Sequence, residues 1–236
     1  QARIEMMRDA MKLLRSIDAK IWLGSNGAGF FDRLGGTPQD VKDYITFNSS
    51  EAKDHRGISF KAKSMWSLGK PYQIHSYGGF MRMEPGSAIG TWAAWNLIPS
   101  SYLALSVAVV NAHSGRLSVG VNPLPDGTFQ SDELKNLAAG FHASRERAPY
   151  LVGLQSVPNI AVLYDAGSEL CMARLPGARR GLPVQQETMG LHHALLDAGM
   201  HFDVVNSDLF DGRGCRAVFL GDAVCPSPEL LARLRA

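Results

Sequence analysis

The chain has 236 residues, 45% of them hydrophobic and 19% charged, with a formal net charge of +2. That balance fits a globular chain with a sizeable core, arranged as one large domain or two ordinary ones. The basic residues are scattered, so nucleic acid finds no electrostatic invitation, and no apolar run approaches the ~18 residues of a membrane span, so neither partner is expected.

Ile4, Met7, Met11 and Leu14 recur at three- and four-residue steps, the apolar stripe of an amphipathic helix. AKIWLGSNGAGF (19–30) reads as a short strand dissolving into a glycine-rich loop. Thr37 as N-cap and Pro38 at the first helical position predict a short helix. DYITFN (43–48) is the next strand, and a helix follows over 57–68 with Gly69 where a C-cap belongs. KPYQIHS (70–76) is the third strand, with a long loop through Glu84 and Trp92 behind it. The run 101–113 is a helix apolar on most sides; Gly115 ends it, and RLSVGV (116–121) is the fourth strand. Ser131 then caps a helix over 132–147, whose acids Asp132 and Glu133 face the positive end of the helix dipole.

Strand and helix thus alternate four times with nearly continuous apolar strands, the pattern of a parallel sheet covered by helices. Such βα units place functional residues on the loops after the strands, in a closed barrel at the carboxyl-end face. NPLPDG (122–127) is one of these loops, its prolines fixing the chain path and Asp126-Gly127 forming a tight turn. It is either one wall of a site or a stiff connector. The stretch 147–158 reads as a linker. A second alternation follows: strand NIAVLYD (159–165), a Gly- and Arg-rich loop, a helix near 186–198, strands HFDVVN (201–206) and CRAVFLG (215–221), and a helix opening at Ser227-Pro228. The helix face Leu191, Ala194, Leu195 and Ala198 is apolar, and Gly199 marks its stop. This is the first part of an open doubly wound α/β domain.

Cys171, Cys215 and Cys225 are an odd, sparse set; they favour a reducing, cytoplasmic compartment over a disulfide framework and match no zinc spacing. The chain opens on Gln1 and closes on Ala236, both inside expected helices, and reads as a piece of a longer protein with the question of a signal peptide left open.

The run RLSVGVNPLPDGTFQSDELKNLAAGFHASRERAPYLVG (116–153) resembles the last strand, loop and helix of α-L-fucosidase-like glycoside hydrolase barrels. KPYQIHSYGGF (70–80) with GTWAAW (90–95) resembles the preceding strand of the same barrels. NIAVLYD, GLHHALLDAGMHFDVVNSD (190–208) and RAVFLGDAVCPSPELLARLR (216–235) are similar to the class I glutamine-amidotransferase-like domain known as the β-galactosidase trimerisation domain. The resemblance implies an α/β chain made of the C-terminal half of a (β/α)8 barrel over 1–150 and an incomplete flavodoxin-like, amidotransferase-like domain over 157–236. It implies hydrolysis of O-glycosidic bonds, a carbohydrate substrate, no cofactor, and association of identical copies through the second domain. Only about four βα units are present, so the nucleophilic Asp of retaining fucosidases has no counterpart here. Gln73 also stands where those enzymes often place Glu, and an amide cannot move a proton at useful rates.

Glycoside hydrolysis needs two carboxyl groups flanking the scissile bond. The candidates are Glu51, past the 43–48 strand, and Glu84, in the long loop; each is otherwise a solvated loop glutamate. Asp126 is read as a turn-former. Asn26, Asn48, His75 and Asn122 stand at or just past four successive strand ends, where one barrel would converge them with Gln73 on a sugar, and Trp92 or Trp95 would supply a stacking face. His192 and His193 are read as part surface, part packing. Neither a metal-ligand spacing nor a phosphate loop appears, and the second domain has no nucleophile elbow. A catalytically silent carbohydrate-binding relative and a purely structural assembly subunit are the alternatives, the first motivated by Gln73.

Overall fold

A computed structural model of the chain describes residues 2–26, 43–52, 54–77, 79–81, 95–121, 123–151, 154–157, 159–173, 183–212, 214–221 and 223–235. In chain order the elements are α1 (Ala2–Ile17), β1 (Gly24–Asn26), β2 (Phe47–Glu51), α2 (His55–Trp66), β3 (Tyr72–Tyr77), β4 (Gly79–Met81), β5 (Trp95–Leu97) and α3 (Ser100–Ala112). They continue with β6 (Arg116–Gly120), α4 (Ser131–Leu151), β7 (Ile160–Tyr164), α5 (Ala166–Ala173), α6 (Pro183–Asp197), β8 (Phe202–Asn206), β9 (Ala217–Leu220) and α7 (Pro228–Arg235). The chain divides into two compact units, 1–50 with 60–72 and 156–236, and 51–59 with 73–155. The helix expected at Thr37-Pro38 lies outside the described residues.

In the first unit α1 buries Met11, with Met7 beside it, against Leu23 and Ile45. This is the stripe that the helical spacing predicts, although Leu14 lies at its margin, 38% exposed. β1 and β2 pair in parallel, Gly24 opposite Phe47. Glycine is needed there, because any side chain at 24 would run into the Phe47 ring. The second strand begins later than the apolar pattern suggests. Ile45 is drawn down into the α1 core, while Thr46 ties itself to Leu23 by donating from its backbone N–H (2.8 Å) and hydroxyl (3.0 Å) to the Leu23 carbonyl. Ladder pairing starts only at Phe47.

The same unit holds a fully parallel sheet of order β8-β7-β9. Every β7 residue is buried. Ile160 and Val162 pack with Phe202, Val204 and the α2 residue Phe60, while Ala161 and Leu163 pack with Phe210 and Leu230. Alternate residues of one strand thus fill two cores, one on each face. α6 contributes Met189, Leu191 and Leu195 to the first core and ends at Gly199, whose φ of +66° is the left-handed geometry of a helix stop. Ser227 caps α7 by accepting the Leu230 N–H at 3.1 Å.

Two expectations are corrected in this unit, at the segment after β7 and at the cysteines. The segment after β7 is helix α5 before any loop begins. Of the pair His192 and His193, His192 is the packed member, wholly buried and edge-on to Phe60 (5.5 Å) and Phe202 (5.3 Å), while His193 is only partly buried. Cys171 and Cys225 are disulfide-bonded across a sequence separation of 54, with Cα atoms 6.6 Å apart, and Cys215 is free. Spacing could not show this, since the pairing depends on how α5 and the segment after β9 fold back together.

In the second unit β3 pairs in parallel with β6, and β4 pairs antiparallel with β5 within what the sequence suggested was a long loop. Asp54 caps α2, its Oδ1 accepting the Gly57 N–H at 2.8 Å, so the helix starts two residues before 57. α3 packs on α4 with Gly140 against Leu103, where an added Cβ would stand 2.8 Å from the Leu103 Cβ. The Asn136 side chain donates to the Ile98 carbonyl (3.0 Å), pinning α4 to the start of α3. α4 runs through Pro149 to Leu151, so the linker expected from residue 147 starts only after 151. No described helix is long and apolar enough to cross a membrane.

Candidate functional site

The second unit carries a polar face on β3 and β6. Along β3, Tyr72, Ile74 and Ser76 are buried, while Gln73 and His75 on the opposite face are half-buried. The register sets Gln73 beside Arg116 and His75 beside Ser118. Paired residues of parallel strands share a face, so Gln73, His75, Arg116, Ser118 and, two residues on, Gly120 form one surface. The His75 ring is held there: Nδ1 is hydrogen-bonded to Ser118 Oγ at 3.2 Å, and its far edge lies over Gly120. Glu51, the exposed last residue of β2, stands next to Ala52, whose N–H donates to the His75 carbonyl at 3.1 Å. Of the predicted site residues, Glu51 thus borders the backbone that meets His75, while Gln73, opposite Arg116 at the start of β6, stands toward the amino end of the strand pair. Ser118 and Gly120 escaped sequence reasoning; the signal that points to them is the strand register, which sets Ser118 opposite His75.

The other predicted residues fall differently. Asn48 lies one residue into β2, in the first unit, wholly buried, with its Oδ1 accepting the Ser49 N–H at 2.9 Å. Asn26 is the last residue of β1, opposite Ser49, and its side chain is outside the described residues. Glu84, Trp92 and Asn122 lie outside them too. Trp95 opens β5 opposite Met81. Asp126 accepts from the Thr128 N–H (3.0 Å) and hydroxyl (2.7 Å), bonds that hold its carboxyl below the usual carboxylate range. With Gly127 at φ +83° this is a self-contained turn. Among the described residues no cluster of His, Cys, Asp or Glu could hold a metal ion.

The first unit has a polar cluster of its own, at the carboxyl ends of β7 and β8. Buried Asp165 accepts from the Ser168 N–H (3.1 Å), the Ser168 hydroxyl and the Ser207 hydroxyl (2.7 Å). Ser168 Oγ in turn accepts the Cys225 N–H at 2.9 Å. The neighbouring Tyr164 hydroxyl is pushed well above its ordinary value by burial and by the negative charges of Glu169 and Asp165. Asp165's oxygens hold the strand-end loops together, so the cluster joins segments.

No family model matches the chain, and no curated protein matches it. Solved structures do. An α-L-fucosidase, isoenzyme 2 from Paenibacillus thiaminolyticus, superposes with a TM-score of 0.72 at 14% identity, over 98% of this chain and 33% of that one. A β-galactosidase from the Antarctic haloarchaeon Halorubrum lacusprofundi gives 0.65 at 16%, over 98% and 38%. The GH42 β-galactosidase Gan42B of G. stearothermophilus gives 0.69 at 13%, over 98% and 37%. The chain spans 33–38% of the length of these proteins. At such identities the likeness is one of fold: this is an α/β chain with parallel sheets, similar to glycoside hydrolases.

Proposed function

We propose that the chain is part of a glycoside hydrolase, with half of a (β/α)8 barrel over 1–150 and an amidotransferase-like domain over 157–236. Its carbohydrate site lies at the carboxyl ends of β2, β3 and β6. The observation that carries this is the half-buried polar row of Gln73, His75 and Ser118 on one face of the β3–β6 pair, opposite a face where β3 buries Tyr72, Ile74 and Ser76, in a fold similar to glycoside hydrolases. Burial on one side holds the strands rigid, and the polar side offers donors and acceptors suited to sugar hydroxyls. Glu51 stands at the same end as a carboxyl group able to protonate a leaving oxygen, and Glu84 is the second candidate. The substrate class is an O-glycoside of the kind that α-L-fucosidases cleave, with no cofactor, and the second domain brings identical copies together.

Turnover of nitrophenyl α-L-fucoside and nitrophenyl β-D-galactoside tests the reading. Glu51→Gln is expected to lower kcat by about a hundredfold or more if Glu51 is the proton donor. Hydrolysis untouched by both Glu51→Gln and Glu84→Gln removes both from that role. Gln73 supports a second reading, a relative that binds sugar without cleaving it; binding of L-fucose or D-galactose with no release of nitrophenol would establish it. A chain that associates with itself but neither binds nor cleaves sugar would be an assembly subunit.

A further inference from the structure

We propose that His55 is a sugar-binding residue: its Nδ1 accepts a hydrogen bond from a hydroxyl of the glycoside, and the Tyr102 carbonyl holds the ring in the tautomer that allows this. The inference deepens the carbohydrate reading and rests on it. His55 opens α2 after a short loop from β2, so it stands at the carboxyl end of that strand, where parallel βα folds meet their ligands. The loop is fixed at both ends. The Ala52 N–H donates to the His75 carbonyl at 3.1 Å. Asp54 accepts the Gly57 N–H on its side chain (2.8 Å) and the Ile58 N–H on its backbone carbonyl (2.8 Å).

The ring is fixed as well. It lies against the Tyr102 ring in the first turn of α3, with centroids 4.0 Å apart and planes at 31°, and its Nε2 is 3.2 Å from the Tyr102 carbonyl oxygen. A carbonyl can only accept, so Nε2 carries a hydrogen and neutral His55 keeps its lone pair on Nδ1. Among the described residues none bonds to Nδ1, and that nitrogen is not one of their buried unpaired atoms, so it opens to solvent. Asp54 and Arg56 on either side are exposed. An imidazole stacked on one face and bonded at one nitrogen has little freedom left to lose when a ligand arrives. Its lone pair suits a hydroxyl, which has a proton to donate, and not a carboxylate, which has none. The exposed carboxyl groups of Glu51 and Asp54 also favour a neutral ligand over an anion.

Long-range proton–nitrogen correlation spectra of the isotope-labelled chain read the tautomer directly. Neutral His55 should show a protonated Nε2 and a bare Nδ1; the opposite tautomer overturns the inference. Titration with L-fucose and with D-galactose should then move the Nδ1 resonance. His55→Gln keeps a donor for the Tyr102 carbonyl but puts nothing in the place of Nδ1. It should bind sugar about tenfold more weakly with an unchanged unfolding midpoint. A sugar that shifts the amides of β3 and β6 but leaves Nδ1 unmoved, or that binds His55→Gln as tightly as the wild type, overturns the inference and leaves the carbohydrate reading standing. If His55→Gln does not fold, the wild-type titration decides alone. If neither sugar moves any resonance, the carbohydrate reading fails and the role of His55 falls with it.

Discussion

β7 and β3 are parallel strands of similar length, yet they are built on different terms. β7 reads Ile-Ala-Val-Leu-Tyr and is buried at every position, its odd and even residues feeding two separate cores. β3 reads Tyr-Gln-Ile-His-Ser-Tyr and buries Tyr72, Ile74 and Ser76 while leaving Gln73 and His75 half-exposed. A strand covered on both faces has no room for a group that must meet a ligand, so its polar chemistry is deferred to Asp165, where it is consumed in holding loops together. A strand covered on one face can carry polar groups along its length with its geometry still secured from behind.

The sharpest way to break this contrast is truncation on both faces of each strand. Leu163→Ala should cost about 3–5 kcal/mol, and Val162→Ala, on the opposite face, should also be clearly destabilising, as read by urea unfolding. A near-neutral result at either position would contradict burial on two faces. In β3, Ile74→Ala should cost about 2–4 kcal/mol.

Next in size is the disulfide beside the β7 cluster. Replacing Cys171 and Cys225 by Ser should cost about 2–4 kcal/mol, since the link closes a long loop in the unfolded chain. Thiol counting on the unreduced, denatured chain should find Cys215 alone reactive. In the folded chain Cys215 should react slowly, because burial, Asp203 and Asp211 raise its thiol above the ordinary value.

A pH effect of up to about 3 kcal/mol is expected from Lys61, whose pKa burial lowers from 10.5 to about 8. Below about 8 both states are protonated and the fold bears the full cost of the buried charge. Between about 8 and 10.5 the unfolded chain binds more protons, so stability rises with pH. Subtracting the unfolding curve of Lys61→Met should isolate that rise; a flat difference would refute it. The smallest change is Gln73→Ala, expected within about 0.5 kcal/mol of wild-type stability while weakening any sugar binding. Together with Ile74→Ala it separates the structural face of β3 from the functional one.

Legibility followed the range of the physics. The apolar run of β7, the stripe of α1, the cap at Ser227 and the stop at Gly199 rest on contacts within a turn or a strand, and the pattern of residues contains them. His75 stood out as a polar residue at an expected strand exit, and Gln73 only through the family resemblance. The start of β2 was misplaced because Ile45 is bound by a core that α1 supplies from thirty-odd residues away. Helix α5 went unseen because its eight residues are stabilised by what they pack against more than by their own propensity.

Taken alone, the order of residues determined that parallel strands and helices alternate, and which residues of the strands could be polar. Tertiary structure alone decided that His75 meets Ser118 and Gly120, that Cys171 meets Cys225, and that Phe60 shares a core with Phe202 and His192. The reason is the length of chain between the partners. Local patterns are set by backbone geometry over a few residues, whereas the register of a parallel pair and the meeting of distant side chains are set only when the connecting helices dock.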